Sequence, residues 1–428
     1  MELAIVIIFV LIYLLTILLS AAKVVALSSA ALVGALLTGW FGLQYGVFTY
    51  EEAANFIDVR LLGLIIGTMI VVEVAEKSGI FRFGALYAVK LSGGSPGKLF
   101  VSICVVSAAA SMFLSDPTAM LLMAAATVTI SKLLDYDPIP YFLSATIMIN
   151  LGGTSTLIGS VSNMVIGIGT GLSFAEFLSY MGLCEITLWA LTILALYMVF
   201  RSRLGKKKAL PEYSPWQSIE NKKLFYQSAF ILALLVLLFV ALENLGVGPE
   251  AVGLGCAILA LVLSSSDPSE IFKGIDWETV FFIAGFMFIM GGMQKTEILN
   301  DVAVQLFQFV SGNPLSTTLT TLWFSGLASA FVSNLAIALT FVPIVTRFFT
   351  LNPNLRPPVT SALVLGANLG GATTPFSGSV CMMAVGALKR EGISMSFGEF
   401  TKIGVITSML QLGFSTVYLI WRFGLGGF

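Results

Sequence analysis

Four polar islands in an otherwise apolar chain carry the side chains able to do chemistry. The first is the run Leu114-Ser115-Asp116-Pro117-Thr118, a carboxylate flanked by hydroxyls. A proline just after a Ser or Asp cap is a helix-start signal. An all-oxygen set of Ser115, Asp116 and Thr118 suits a hard cation such as Na⁺, and the carboxylate alone suits a proton. The second island spans Asn150, Gly152, Gly153, Thr154, Ser155 and Thr156 and continues to Ser160 and Asn163. The third is the neutral pair Ser333-Asn334. The fourth runs Asn368, Gly370, Gly371, Thr373, Thr374, Pro375 and Ser377. Amides and hydroxyls at this density offer both donors and acceptors to a small polar solute.

The rest of the chain decides what surrounds these islands. Of 428 residues, 57% are hydrophobic and 11% charged, against about 25% charged in soluble domains. Runs of ~20 apolar residues recur, each long enough to cross a bilayer. The chain reads as an all-α polytopic membrane protein, embedded in lipid, with no nucleic-acid partner. It has no histidine, so the commonest general base and the commonest zinc ligand are missing. Cys104, Cys184, Cys256 and Cys381 are widely spaced and form no CxxC pair, which signals neither zinc nor a disulfide framework. An enzyme is therefore not expected, nor any cofactor beyond a coupling H⁺ or Na⁺. No Walker-type loop is present, so ATP drive would need a separate ATPase subunit. The opening MELAIVIIFVLIYLLTILLS lacks a basic start and reads as a retained first membrane helix.

The elements that must hold the islands follow from an internal repeat. Ile57-Asp58 corresponds to Ile275-Asp276, Ser115 to Ser333, and Asn150 to Asn368, each at an offset of 218. EKSGI (76–80) corresponds to QKTEI (294–298), and SFAEF (173–177) to SFGEF (396–400) after a short insertion. The organisation expected is a first repeat over 1–200, a basic loop over 201–223 and a second repeat over 224–428. In the first repeat, apolar runs near 3–20, 24–45, 61–76, 141–168 and 179–200 can each span. The stretch 99–133 is two arms of about fifteen residues around Ser115-Asp116-Pro117, which fits a re-entrant helical hairpin. Five crossings per repeat is an odd number, so the two repeats are inverted relative to each other. The loop 201–223 holds seven basic residues and belongs in the cytoplasm by the positive-inside rule. With the N-terminus then outside, 17 of the 22 Lys and Arg fall on the cytoplasmic side.

Backbone at membrane depth must be hydrogen-bonded unless it lines a wet or protein-buried cavity. Gly152-Gly153, Gly370-Gly371 and Pro375 are poor helix formers, so both phrases predict broken helices near mid-membrane. A Gly-Gly pair can also serve close helix packing. Its recurrence in both halves, each time after a polar hairpin tip, favours a binding site between two inverted halves. Asp116 can cap its helix or hold the coupling cation. Na⁺ at Ser115, Asp116 and Asn150 is the arrangement expected, with the neutral second tip left to the substrate. Glu73 lies close enough to a helix end to snorkel. Glu185 stands in an apolar run with either a structural or a functional role. Cys381 reads as a small packed residue. Asp135 and Asp137 read as a loop and a helix cap.

The stretch FLSDPTAMLLMAAATVTISKLLDYDPIPYFLSATIMINLGGTSTLIGSVSNMVIG, with ALVLGANLGGATTPFSGSV and SFGEF in the second half, resembles the arsenite-permease, NhaD-type sodium/proton antiporter and melanosomal P-protein group of the ion transporter superfamily, whose members share a citrate transporter-like domain. The resemblance spans nearly the whole chain. It implies two inverted repeats with re-entrant hairpins, a homodimer, an elevator-like motion, and ion and substrate sites at the hairpin tips and breaks. Carried over by position, those sites fall at Ser115, Asp116, Thr118, Asn150, Thr154, Asn163, Ser333, Asn334, Asn368, Thr373, Thr374 and Ser377. Relatives carry Asp-Asn at the first tip, where this chain has Ser115-Asp116. After the first break they carry Gly-Asp-Pro-Pro-Asn, where this chain has Gly159-Ser160-Val161-Ser162-Asn163, and the loss of a carboxylate weighs against ordinary sodium/proton antiport. The function expected is secondary active transport, across the plasma membrane, of a small inorganic oxyanion or metalloid such as arsenite or antimonite. Na⁺/H⁺ antiport and cation-coupled carriage of a di- or tricarboxylate are the alternatives.

Overall fold

A computed structural model describes residues 3–21, 25–114, 116–208, 214–242, 245–264, 267–310, 313–375, 377, 379–390, 393 and 395–425, and among these every regular element is helical. The chain passes through α1 (Leu3–Ala21), α2 (Leu27–Gln44), α3 (Tyr50–Ala54), α4 (Val59–Lys77), α5 (Ile80–Ser92), α6 (Pro96–Ser111), α7 (Asp116–Leu134), α8 (Pro138–Thr154), α9 (Val161–Thr170) and α10 (Phe174–Phe200). Beyond the central loop come α11 (Lys222–Ala241), α12 (Pro249–Ser264), α13 (Pro268–Lys273), α14 (Trp277–Lys295), α15 (Ile298–Phe309), α16 (Pro314–Ser329), α17 (Asn334–Leu351), α18 (Arg356–Leu369), α19 (Ser379–Arg390) and α20 (Phe397–Phe423). Each of α13 to α19 begins 218 residues after its counterpart among α3 to α9.

The repeated phrases of the sequence turn out to be helix punctuation. Asp58 caps α4 by accepting from the Arg60 and Leu61 amides, and Asp276 caps α14 by accepting from Thr279. Ser173 and Ser396, in the two SF-x-EF phrases, accept from the amides of Glu176 and Glu399 and so start α10 and α20. A side-chain oxygen at the N-cap satisfies amides that have no partner inside the helix. Where EKSGI corresponds to QKTEI, the chain turns left-handed at Gly79 (φ 77°) and at Glu297 (φ 61°).

Among the described residues, six helices are long and apolar enough to cross a membrane: α2, α10, α11, α14, α17 and α20. Large apolar side chains such as Leu36, Ile186 and Val262 are more than 70% exposed, which suits contact with lipid tails and not with water. The hairpin arms differ from expectation. Arms of about fifteen residues are expected from the sequence, but α7 has 19 residues and α17 has 18. The extra length of α7 lies mainly at the tip, where the helix takes in Asp116 and Pro117, and one residue further on at Leu134. The short α3 and α13 and the interposed α5 and α15 carry too few apolar residues in a row to register as separate segments.

Helix packing exchanges partners between the halves. α4 packs on α12 and α2 on α14, α7 on α19 and α9 on α17, while α8 meets α18 and α10 meets α20. The contact α4–α12 is tight enough that a Cβ on Gly67 would stand 2.6 Å from the Gly253 carbonyl carbon, and in α14–α2 a Cβ on Gly285 would stand 2.8 Å from that of Ala31. Small residues here let backbones approach, the ordinary device for packing helices in lipid.

Candidate functional site

Both glycine-rich phrases interrupt helices in the buried centre. α8 ends at Thr154 and α9 begins at Val161; α18 ends at Leu369, followed by a tight 3₁₀ turn over Gly370–Ala372, and α19 begins at Ser379. The breaks are pressed against α6 and α16. A Cβ on Gly152 would lie 2.6 Å from Ala108 Cα, and one on Gly370 would lie 2.9 Å from the Gly326 carbonyl carbon. Only glycine permits that approach, which brings each break against the backbone of α6 or α16.

Each half secures its break with the same bonds. Thr156 Oγ1 donates to the Met112 carbonyl (2.8 Å) and Thr374 Oγ1 to the Ala330 carbonyl (3.3 Å). Asn163 Nδ2 donates to the carbonyls of Gly153 (3.0 Å) and Thr156 (2.8 Å); at the corresponding place in the second half, Cys381 Sγ donates to the Gly371 carbonyl (3.5 Å). Thr154 Oγ1 donates to Asn150 O, and Ser377 Oγ donates to the carbonyls of Gly371 and Thr374. Thr373 Oγ1 donates to Gly370 O and reaches Ser408 Oγ at 3.2 Å. Carbonyls freed by the breaks are thus largely claimed by side chains, as buried polar groups require.

The two halves meet at Asn368. Asn150 Nδ2 donates to the Asn368 carbonyl at 2.9 Å. The Asn368 side chain donates from Nδ2 to Asn163 Oδ1 (2.8 Å) and Val364 O (2.7 Å). Its Oδ1 accepts from Ser162 Oγ (2.9 Å) and Asn334 Nδ2 (3.3 Å). A Cβ on Gly371 would stand 3.1 Å from Asn150 Oδ1, so the second break also touches the first. Asn150, Asn163, Asn334 and Asn368 are therefore one cluster, built by α8, α9, α17 and α18. Ser333 caps α17 by accepting from the Ala336 amide (3.3 Å), which brings Asn334 to the cluster. Thr118 stands in the first turn of α7.

Asp116 opens α7 instead of preceding it. Ser115 lies outside the described residues, as does the Asp116 side chain, so the expected Na⁺ arrangement with Asn150 has two of its three members there. Two groups beyond the expected set emerge. Ser162 joins the cluster, and nothing in the sequence distinguishes it from the neighbouring hydroxyls. Glu185 on α10 reaches the first break, its Oε2 accepting from Ser155 Oγ at 3.1 Å. Glu73 ion-pairs with Lys77 at the end of α4 (3.7 Å). Asp137 caps α8, while Asp135, in a left-handed turn, pairs with Lys208. Cys381 is fully buried.

The breaks are framed by arginine pairs at the helix ends. Arg356, the first residue of α18, holds Glu176 with both nitrogens of its fork (2.9 and 3.2 Å) and also bonds the carbonyls of Thr170 and Gly171. Arg203 of the central loop joins Asp137 (2.7 Å) to Glu399 (2.5 Å). Glu176 and Glu399, in the first turns of α10 and α20, are thus each pinned by an arginine from elsewhere in the chain.

Residues 6–354 match the CitMHS family, described as citrate transporters. An uncharacterized transporter of Mycobacterium tuberculosis is 29% identical over 376 residues, covering 86% of this chain and 87% of its own. An uncharacterized transporter of Synechocystis is 26% identical, covering 95% of both chains. The human P protein is 24% identical over 86% of this chain but only 54% of its own length. Among solved structures, the YdaH transporter of Alcanivorax borkumensis superposes with a TM-score of 0.65 at 14% identity, over 89% of this chain and 88% of that one; at that identity the likeness is one of fold.

Proposed function

The chain belongs to the citrate transporter family, and from that premise we propose that this membrane transporter is a cation-coupled secondary carrier of a small polar solute, with arsenite or antimonite the first substrate to test. The carrying observation is the junction of two broken helices at Asn150 and Asn368, lined by amides and hydroxyls. Among the described residues Arg201 and Arg390, the arginines nearest the breaks in sequence, are exposed, and Arg203 and Arg356 are committed to carboxylates at helix ends. A carboxylate solute is commonly held by a bidentate arginine. An uncharged metalloid hydroxide needs no such clamp, and hydroxyl and amide groups match its donors and acceptors. The family description favours a second reading, cation-coupled carriage of a di- or tricarboxylate, with helix ends and the coupling cation balancing its charge.

In this reading the ten-helix series are inverted repeats, a homodimer supports an elevator-like motion, and the hairpins α6–α7 and α16–α17 are re-entrant. The exchange of packing partners between the halves supports the inversion. The basic central loop faces the cytoplasm across the plasma membrane and the N-terminus faces outward. Asp116 holds the coupling cation. The test is transport in proteoliposomes carrying a pH gradient, with arsenite, Na⁺ or citrate added in turn and Asp116→Asn alongside. Dissipation of the gradient by arsenite, lost in the variant, is the expected result. A response to citrate alone selects the carboxylate reading, one to Na⁺ alone selects antiport, and an Asp116→Asn protein with intact cation dependence refutes the role of Asp116.

A further inference from the structure

Glu185 is the buried carboxylate that the transport reading leaves without a task. It sits near the middle of α10 and is 2% exposed. Its Oε2 accepts from Ser155, the residue that ends α8 at the first break, and its Oε1 has no hydrogen-bond partner among the described residues. It forms no ion pair among them either. The charged side chains on the helices packed against α10 stand within the first two turns or the last turn of those helices: Lys98 on α6, Lys222 and Lys223 on α11, Arg356 on α18, and Glu399, Lys402 and Arg422 on α20. The described charged residue in the first turn of α10 is Glu176, held by Arg356. The remaining titratable side chains on these helices are Cys and Tyr, of which Cys184 is the neighbour on α10, Cys104 lies on α6 and Tyr418 on α20.

A carboxylate so placed is costly unless its charge is neutralised. The hydrogen bonds around Ser155 accommodate both protonation states. Ser155 Oγ accepts from Trp189 Nε1 (2.9 Å) and has one proton to give, with two acceptors in reach: Leu151 O at 3.2 Å and Glu185 Oε2 at 3.1 Å. When Glu185 is ionised, Ser155 donates to it. When Glu185 is protonated, Glu185 donates to Ser155, and Ser155 turns its proton to Leu151 O in the last turn of α8. The state of one carboxyl thus selects whether that turn is tied by its capping serine.

The second half has this arrangement without the acid. Thr373 and Leu369 stand 218 residues after Ser155 and Leu151, and Ser408 stands 223 residues after Glu185, the offset of the two SF-x-EF phrases. There Ser408 Oγ donates to Leu369 O (2.9 Å) and meets Thr373 Oγ1. A hydroxyl satisfies the turn in one half, and an ionisable group has replaced it in the other.

We propose that Glu185 is a second coupling group of this transporter beside Asp116, taking up a proton on one side of the membrane and releasing it on the other, with Ser155 relaying its state to the first break. The proposal rests on the transport reading above and is tested in two arms. In the first, infrared difference spectra of the purified protein are recorded during pH titration, wild type against Glu185→Gln. A protonated-carboxyl band that is reversibly lost as pH rises, and is missing in the variant, is expected; a Glu185 carboxyl that never changes state overturns the proposal. In the second, wild type, Glu185→Gln and Glu185→Ser, the last reproducing the second-half chemistry, are compared in proteoliposomes with arsenite and with citrate. Both variants are expected to keep exchange of the probe at equal pH and to lose at least about tenfold of pH-gradient-driven uptake, the scale of a lost coupling of ordinary size. Gradient-driven uptake at the wild-type rate in either variant overturns the proposal. If wild type moves neither probe, the transport reading fails for these solutes and the infrared arm alone decides the role of Glu185.

Discussion

Replacing Asn368 by alanine removes the hub that joins the halves, and the structure sets the size of the effect. The Asn368 side chain makes four hydrogen bonds: two from Nδ2, to Asn163 Oδ1 and Val364 O, and two to Oδ1, from Ser162 and Asn334. Ser162 keeps a second partner, Ser160 Oγ at 2.8 Å, and can turn to it. Asn334 is half-buried and closer to solvent. Asn163 is fully buried, and its Oδ1 is left without the donor it has here. A buried group stranded in this way costs about 1–3 kcal/mol. With the partial loss at Asn334, Asn368→Ala should destabilise by about 2–4 kcal/mol. Asn150→Ala removes one donor to a backbone carbonyl that stays in place, and should cost about 1 kcal/mol. Unfolding of the two variants in mixed micelles, titrated with a denaturing detergent, measures both. A double-mutant cycle with Asn163→Ala should return a coupling of about 1–2 kcal/mol, as expected for groups in direct contact. If Asn368→Ala is no more destabilising than Asn150→Ala, or the cycle shows no coupling, the cluster is not the structural junction described here.

Three further outcomes follow from the same geometry. Gly152→Ala and Gly370→Ala each force a methyl group against the backbone of α6 or α16 and should cost about 1–3 kcal/mol apiece; equal thermal stability to wild type would show that the helices separate freely there. Glu297 is exposed and holds φ at 61°, so Glu297→Gly should raise stability by up to about 1 kcal/mol, read as a higher unfolding temperature. Glu52, on α3 in the first half, bonds Lys295 at the end of α14 (2.5 Å), and that hydrogen bond holds its carboxyl below the ordinary carboxylate range. A depressed pKa contributes stability above the unfolded value that is lost as pH falls through the folded one. Acidification should therefore weaken this link between the halves, and Glu52→Gln should remove that part of the acid sensitivity; an unchanged acid profile in the variant would show the bond to be idle.

By itself the sequence determined what depends on neighbours along the chain. Composition establishes an apolar helical protein, because no backbone can enter lipid with unpaired amides. The repeated landmarks mark caps and turns: Asp58 and Asp276, Ser173 and Ser396, Gly79 and Glu297 each act on amides or angles within a few residues. The two broken helices were legible for the same reason, since glycine and proline weaken a helix wherever it lies. The length of α7 was not, because the tip residues Asp116 and Pro117 lie inside the helix instead of before it. Only the tertiary structure decided which groups meet. Asn150 and Asn368 lie 218 residues apart and touch because α8 packs on α18. Arg356 reaches Glu176 across 180 residues. Glu185, whose role was open in the sequence, meets Ser155 through the packing of α10 on α8. Burial and partnership give a carboxylate its chemistry, and both are properties of what surrounds it in space.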